Sequence, residues 1–79
     1  VAGTKRLMFA EKWKAEDAGL SKALLLSIMA EPSEERRPDA IAEYLAMCDV
    51  EEKEQWKIEL LERYPMHPAT DLAKKKGLL

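Results

Sequence analysis

The chain carries one cysteine, Cys48, and one histidine, His67, the pair best suited to nucleophilic catalysis. A catalytic cysteine needs a neighbouring base such as histidine to activate its thiol. Cys48, however, follows Tyr44 and Leu45 on an apolar helical face, where a buried and inert thiol is the usual outcome. His67 comes directly before a proline, a position typical of a helix cap or a turn. We therefore expect Cys48 to be buried and structural.

Metal ions and phosphate-bearing cofactors need sets of residues that this sequence does not supply. Zinc sites combine several Cys and His ligands at matched spacing, whereas the chain has one of each, nineteen residues apart. Di-iron helical bundles need Glu-x-x-His pairs, but Tyr64 stands three residues before His67. Phosphate-binding loops need clustered glycines, and the three glycines here are scattered. The sequence predicts no catalytic residue, no metal site and no cofactor, so we do not expect an enzyme.

Basic residues concentrate at the two ends of the chain. Residues 1–14 carry a net charge of +3, residues 15–64 a net charge of −7 and residues 65–79 a net charge of +2. The side chains that could contact phosphate groups are Lys5, Arg6, Lys74, Lys75 and Lys76. The whole chain has a net charge of −2 and lacks the basic excess that attracts nucleic acid. Nucleic-acid binding through the two ends is therefore the alternative to the function we favour.

The closing segment, HPATDLAKKKGLL at residues 67–79, has two interpretations. Ala73, Gly77 and Leu78 resemble the first half of a helix-turn-helix, whose second helix enters the major groove of DNA. Only two residues follow Gly77, so a recognition helix is missing. A terminal helix that begins at Pro68 and ends at a glycine in the C′ position explains the same residues. We favour the capped terminal helix.

Apolar residues recur at helical spacing along the chain, and no alternating strand pattern of useful length is present. The caps, prolines and glycines that bound the apolar stretches predict helices over residues 4–18, 22–30, 38–49, 50–64 and 68–77. The predicted fold is all-α: a compact orthogonal or bundle-like domain of four main helices plus a short C-terminal fifth helix. We expect residues 1–79 to form this single domain, with residues 1–3 flexible.

The second helix defines the expected core. Its sequence, KALLLSIMA after a capping Ser21, is apolar on nearly every side, which is typical of a centrally buried helix. The residues expected at the heart of the core are Leu24, Leu25, Ile28 and Met29. In the first helix, Phe9 and Trp13 lie four residues apart on one side, and we expect both to pack into this core.

The fourth helix carries more large apolar residues than one face accommodates. Asp49 and Glu52 before and within it predict a capping box. Its expected inner face comprises Val50, Leu60, Leu61 and Tyr64, and its outer face Glu51, Gln55, Glu59 and Glu62. Trp56 and Ile58 lie about 160° apart at 100° per residue, so at least one of them is expected to be exposed. Because exposed aromatic residues often anchor interfaces, Trp56 and Ile58 are the predicted partner-binding residues. Packing of Trp56 beneath the segment at residues 31–39 is the alternative.

The predicted function follows from the small size of the core. A chain of 79 residues buries a small core, and association with another chain would bury further apolar area. We expect a non-catalytic protein–protein interaction domain, such as a small adaptor, a regulatory subunit or a docking module. Its expected partner is another protein chain, a copy of itself included. The single cysteine favours a reducing compartment, and the longest apolar run is shorter than the roughly 20 residues that span a membrane. We therefore expect a cytoplasmic protein that does not contact membranes.

Overall fold

Five helices make up most of the computed structural model, which describes residues 2–79 and the side chains from Gly3 onward. They are α1 (Ala2–Trp13), α2 (Ala18–Met29), α3 (Arg37–Leu45), α4 (Val50–Arg63) and α5 (Pro68–Lys75). Turns join them, and residues 2–79 contain no strand. The radius of gyration of 11.5 Å matches the roughly 11.6 Å expected of a compact chain of this length. The predicted all-α fold with a short fifth helix is confirmed.

Helix α3 lies at the centre of the packing. Helix α1 packs against α2, α2 packs against α3, and α3 contacts both α4 and α5. The buried hydrophobic core consists of Ala10, Leu25, Ile28, Met29, Ala40, Ile41, Tyr44, Leu45, Leu60 and Ala73. The prediction for α2 is confirmed for three of its four core residues, and Leu24 is partly buried against them. The core therefore joins all five helices, with its largest share from α3.

The connection between α1 and α2 comes earlier than the sequence predicts. Helix α1 begins at Ala2 rather than Thr4 and ends at Trp13 rather than five residues later. Gly19, expected as the residue that ends α1, lies inside α2. The expected flexibility of residues 1–3 falls partly on Val1, which lies outside the described residues, while α1 includes the next two.

Helix α2 is capped by a residue that the sequence reading missed. The carboxylate of Asp17 accepts the backbone N–H of Leu20 at 3.0 Å, which satisfies one of the unpaired donors of the first turn. Ser21, the predicted cap, is buried within the helix, and its hydroxyl donates to the carbonyl oxygen of Ala10 at 2.6 Å. This bond fixes α1 against α2.

The expected burial of Phe9 is wrong. Phe9 is 50% exposed and its neighbour Met8 is 64% exposed. The inward side of α1 carries the small residues Gly3 and Ala10, together with Leu7 at the edge of the core. At Ala10 the two helices are close enough for its carbonyl oxygen to accept the Ser21 hydroxyl, and Gly3 leaves room for the side chain of Glu34. The large side chains of α1 therefore point mostly to solvent, apart from Leu7 and Trp13, which are partly buried.

Helix α3 begins as predicted and ends earlier. Pro38 is its second residue, within the first turn, where the missing N–H of proline breaks no helical hydrogen bond. The helix ends at Leu45, and Cys48 lies in the turn that follows rather than on the helix. Asp49 occupies the N-cap position of α4, but its side chain makes no capping hydrogen bond. The predicted capping box is wrong, because Glu52 accepts the hydroxyl of Tyr44 instead.

Helix α5 begins at Pro68, as the sequence predicts, and ends at Lys75, two residues before the predicted end. Nδ1 of His67 accepts the N–H of Ala69 at 3.0 Å, which makes the histidine the N-cap. Gly77 has a positive φ of 76°. The backbone N–H of Leu78 donates to the carbonyl of Ala73 at 2.9 Å, and the N–H of Gly77 donates to the carbonyl of Lys74 at 3.0 Å. This pair of bonds is the Schellman motif, so the predicted glycine stop after α5 is present.

Replacing Gly77 by alanine should lower the free energy of unfolding by about 1 kcal/mol, because a side chain strains the left-handed backbone. No heavy atom lies within 4 Å of where the new Cβ would stand, so backbone strain is the only cost. The matched control is Gly19→Ala inside α2, where alanine is the better helix former and should raise the stability by up to about 1 kcal/mol. Urea unfolding followed by circular dichroism measures both. If the two substitutions changed the free energy of unfolding in the same direction, the left-handed conformation of Gly77 would be contradicted.

Candidate partner-binding surface

Helix α4 turns a different face to the core than the sequence predicts. Of its residues, all within the described part of the chain, Leu60 alone is fully buried. Val50 is 84% exposed and Leu61 is 41% exposed, so their expected inward placement is wrong. Trp56 and Tyr64 pack against the core while remaining partly exposed.

A buried guanidinium group helps to set this orientation. Nε of Arg37 donates to the carbonyl oxygen of Met29 at 2.9 Å, and its two terminal nitrogens donate to the Tyr64 hydroxyl at 3.3 Å and to a Glu59 carboxylate oxygen at 2.8 Å. Burial alone would lower the pKa of Arg37, but these bonds to Tyr64 and Glu59 raise it, so the side chain stays charged. Glu59, expected on the outer face of α4, is thereby held toward the core.

A second carboxylate on α4 also faces inward. Glu52 accepts the hydroxyl of the buried Tyr44. Burial, followed by the charge and hydrogen bond of Glu52, raises the pKa of Tyr44, so its hydroxyl remains a donor. Glu52 and Glu59 are seven residues apart, about two helical turns, and so lie on one side of the helix. Satisfying the guanidinium and the hydroxyl together therefore turns the opposite side of α4, with its apolar residues, to solvent.

Trp56, one of the two predicted partner-binding residues, lies on the inward side of α4. Its ring makes an edge-to-face contact with Tyr44, with centroids 6.4 Å apart. The guanidinium carbon of Arg37 lies 6.0 Å from its ring centroid, a cation–π arrangement. Because Arg37 belongs to the segment at residues 31–39, this contact supports the alternative in which that segment covers Trp56. The indole is half-buried and borders the exposed surface.

Ile58, the other predicted residue, lies on an exposed row along the solvent face of α4. It is 50% exposed, and it shares this face with Val50 and Leu61. Three exposed carboxylates flank the row. We call this set the α4 stripe; its members are Val50, Glu51, Glu54, Ile58, Leu61 and Glu62. Lys57 lies 3.5 Å from Glu54 and offsets one of the three carboxylates. Because the other two remain, the stripe keeps a net negative charge beside its apolar centre.

The residues predicted for nucleic-acid binding stand on two separate helices. Lys5 and Arg6 are exposed on α1, and the three lysines at residues 74–76 are exposed at the end of α5. The groove between these helices is mostly apolar, and its charged lining residues are three carboxylates and one lysine, namely Glu11, Asp39, Glu43 and Lys76. Successive lysines point about 100° apart around a helix axis, so they do not form one row. The structure does not join the basic ends into a continuous positive surface.

Cys48 is half-buried rather than fully buried. Its thiol donates a weak hydrogen bond to the carbonyl of Leu45 at 3.9 Å. Burial, and next the negative charge of Glu52, raises the pKa of Cys48 above its ordinary value. Within residues 2–79, no group of three or more His, Cys, Asp and Glu side chains is placed to hold a metal ion.

The raised pKa of Cys48 predicts slow modification by thiol reagents. At pH 7.5 the folded protein should react more slowly with a disulfide reagent than the urea-unfolded protein, because the thiol is partly buried and less of it is ionised. The rate should rise with pH as the thiolate forms. The Glu52→Gln variant removes the neighbouring charge and should react faster than the parent chain. Equal rates in the folded and unfolded states would show that the protein does not protect this thiol.

None of the helices among residues 2–79 has the length and apolar character needed to cross a bilayer. The chain matches no protein-family model, no curated protein and no solved structure. Its own residues and geometry are therefore the basis for assigning a function.

Proposed function

We propose that this chain is a non-catalytic protein–protein interaction module, of the adaptor, regulatory or docking kind, that binds its partner through the α4 stripe. The observation that supports this function is the exposed apolar row of Val50, Ile58 and Leu61 on a helix that fully buries one residue. Apolar side chains that are exposed together and bordered by charges are typical of interaction surfaces. Single exposed apolar residues would carry no such meaning.

The charges of the stripe define the chemistry of the partner. A narrow helical row of apolar residues, here Val50, Ile58 and Leu61 at spacings of eight and three, is the form in which helices dock against another apolar surface. Glu51, Glu54 and Glu62 surround that row, so a complementary partner offers apolar side chains between cationic ones. Ile58 and Leu61 are the proposed anchors. Trp56 borders the surface and contributes through the part of its ring that remains exposed.

Nucleic-acid binding receives less support from the same surfaces. The basic residues of α1 and α5 are separated by a largely apolar groove whose charged lining residues are three carboxylates and one lysine. Phosphate contacts supply most of the affinity of such complexes, and few lysines here can act together. Protein binding therefore remains the preferred function.

Affinity capture from the native source, with matched variants, tests the proposal. The variant Ile58→Ser/Leu61→Ser removes the apolar centre of the stripe. Leu20→Ser/Leu26→Ser is the control, because these two residues are similarly exposed on α2. Circular dichroism establishes that both variants are folded. We expect the control to retain the partner captured by the parent chain and the α4 variant to lose it. Retention of every captured protein by the α4 variant would overturn the proposal.

A further inference from the structure

A second exposed apolar surface lies on α1. Met8 and Phe9 point to solvent, and Lys5 and Lys12 stand about one helical turn before and one turn after them on the same side. The four residues follow the spacing i, i+3, i+4 and i+7, which places them in one row along the helix. We call Lys5, Met8, Phe9 and Lys12 the α1 face. It combines two large apolar side chains with two cations and no acid.

The α1 face and the part of the α4 stripe at residues 54–62 have opposite charges and a similar length. In each, two large apolar residues stand between two like charges: Met8 and Phe9 in α1, Ile58 and Leu61 in α4. The outer lysines of the α1 face are seven residues apart, and Glu54 and Glu62 of the stripe are eight apart. At 1.5 Å per residue these spans are about 10.5 Å and 12 Å. Laid side by side, the two rows match cation to carboxylate at both ends and apolar to apolar between them.

The two surfaces do not cover each other within one chain. Both are exposed, while α1 packs on α2 and α4 packs on α3. From this complementarity we propose that the partner of the α4 stripe is the α1 face of a second copy of this chain, an inference that rests on the proposed function. The contact joins two different surfaces, so it is heterologous. Repetition of such a contact closes into a ring or extends as a chain of molecules.

Charge reversal on each surface tests this pairing. One variant is Lys5→Glu/Lys12→Glu, and the other is Glu54→Lys/Glu62→Lys. The control Lys74→Glu/Lys75→Glu makes the same change of charge as the first variant on exposed residues of α5. Sedimentation velocity of the full chain from about 10 μM to about 1 mM, the range of weak and transient complexes, measures association. Runs between about 50 mM and 500 mM salt measure its electrostatic share.

We expect the parent chain and the α5 control to associate, and the association to weaken as salt rises. Each reversed variant alone should associate at least about tenfold more weakly, because like charges then meet. An equal mixture of the two reversed variants should recover association, since reversed surfaces match each other and unchanged surfaces match each other. Recovery in the mixture is a result that a loss of folding could not produce.

Several results would overturn the pairing, and they separate it from the proposed function. A parent chain that is monomeric at every concentration, or a mixture that does not recover, rejects the second copy as partner. If Ile58→Ser/Leu61→Ser still loses a captured protein, the proposed function stands with a different partner. If Ile58→Ser/Leu61→Ser instead retains every captured protein, the pairing and the proposed function both fail. A monomer whose α1 face instead binds vesicles of anionic lipid would assign that face to a membrane surface and reject the pairing.

Discussion

Replacing Leu60 by alanine should lower the free energy of unfolding by about 3 kcal/mol, whereas replacing Leu61 should lower it by less than about 1 kcal/mol. Leu60 is 0% exposed and is the fully buried residue through which α4 joins the core. Removing its side chain costs the transfer energy of the lost methyl groups and leaves a cavity beside α3. Leu61 loses a side chain that is already partly in water.

The two leucines form a matched pair, because they are adjacent in one helix and have the same intrinsic helix propensity. Urea unfolding followed by far-ultraviolet circular dichroism measures the difference. We also expect Leu61→Ala to weaken association through the α4 stripe while leaving the fold intact. Equal losses of stability at the two positions would show that Leu60 is not the residue through which α4 joins the core.

Replacing Arg37 by alanine should lower the free energy of unfolding by about 3 kcal/mol, the low end for breaking a buried ion pair, since Glu59 keeps some contact with water. The side chain of Arg37 is almost fully buried, whereas that of Glu59 is partly exposed. The substitution leaves the carbonyl of Met29 and the hydroxyl of Tyr64 without their donor. It also removes the cation above Trp56.

Arg36 provides the control for this position. It is exposed and pairs with Asp39 at 3.6 Å, so Arg36→Ala should change the free energy of unfolding by about 0.5 kcal/mol or less. A third variant, Arg37→Lys, keeps the charge but cannot direct donors to three separate acceptors, so it should fall between the other two. Urea titrations of the three variants give the comparison. A loss at Arg37 no larger than that at Arg36 would mean that the buried network contributes nothing.

Local signals were sufficient to predict α5. Pro68 fixes its first turn, Gly77 its end, and both act through the backbone conformation of one residue. The existence of all five helices follows equally from periodicity. The start of α2 was harder, because a serine that caps a helix and a serine that bonds to a neighbouring helix look alike in sequence. Ser21 proved to be the second kind.

The orientation of α4 depends on a contact that no local pattern reveals. Arg37 belongs to the highly charged segment at residues 31–39, yet it is buried, and its hydrogen bond holds Glu59 inward. Once a charge is inside the protein, its partners decide which side of a neighbouring helix faces the core. The exposure of Ile58 was predictable from the angle between it and Trp56, but which of the two residues would be the more exposed was not.

The α1 face was also missed, although the sequence held a signal for it. Gly3 and Ala10 are seven residues apart and so lie on one side of α1, which favours close contact with another helix through that side. The opposite side then carries Met8 and Phe9 outward. Large aromatic residues are usually buried, but the arrangement of small residues in this helix overrides that general tendency at Phe9.

The order in which the helices pack has a consequence for how the chain folds. Three of the four principal helix contacts join neighbours in sequence, and the fourth, between α3 and α5, skips one helix. Contacts between nearby segments close short loops, which costs little chain entropy. Small helical proteins dominated by such contacts fold in microseconds to milliseconds. The chain should therefore reach its folded state rapidly, by adding helices to a nucleus that includes α3.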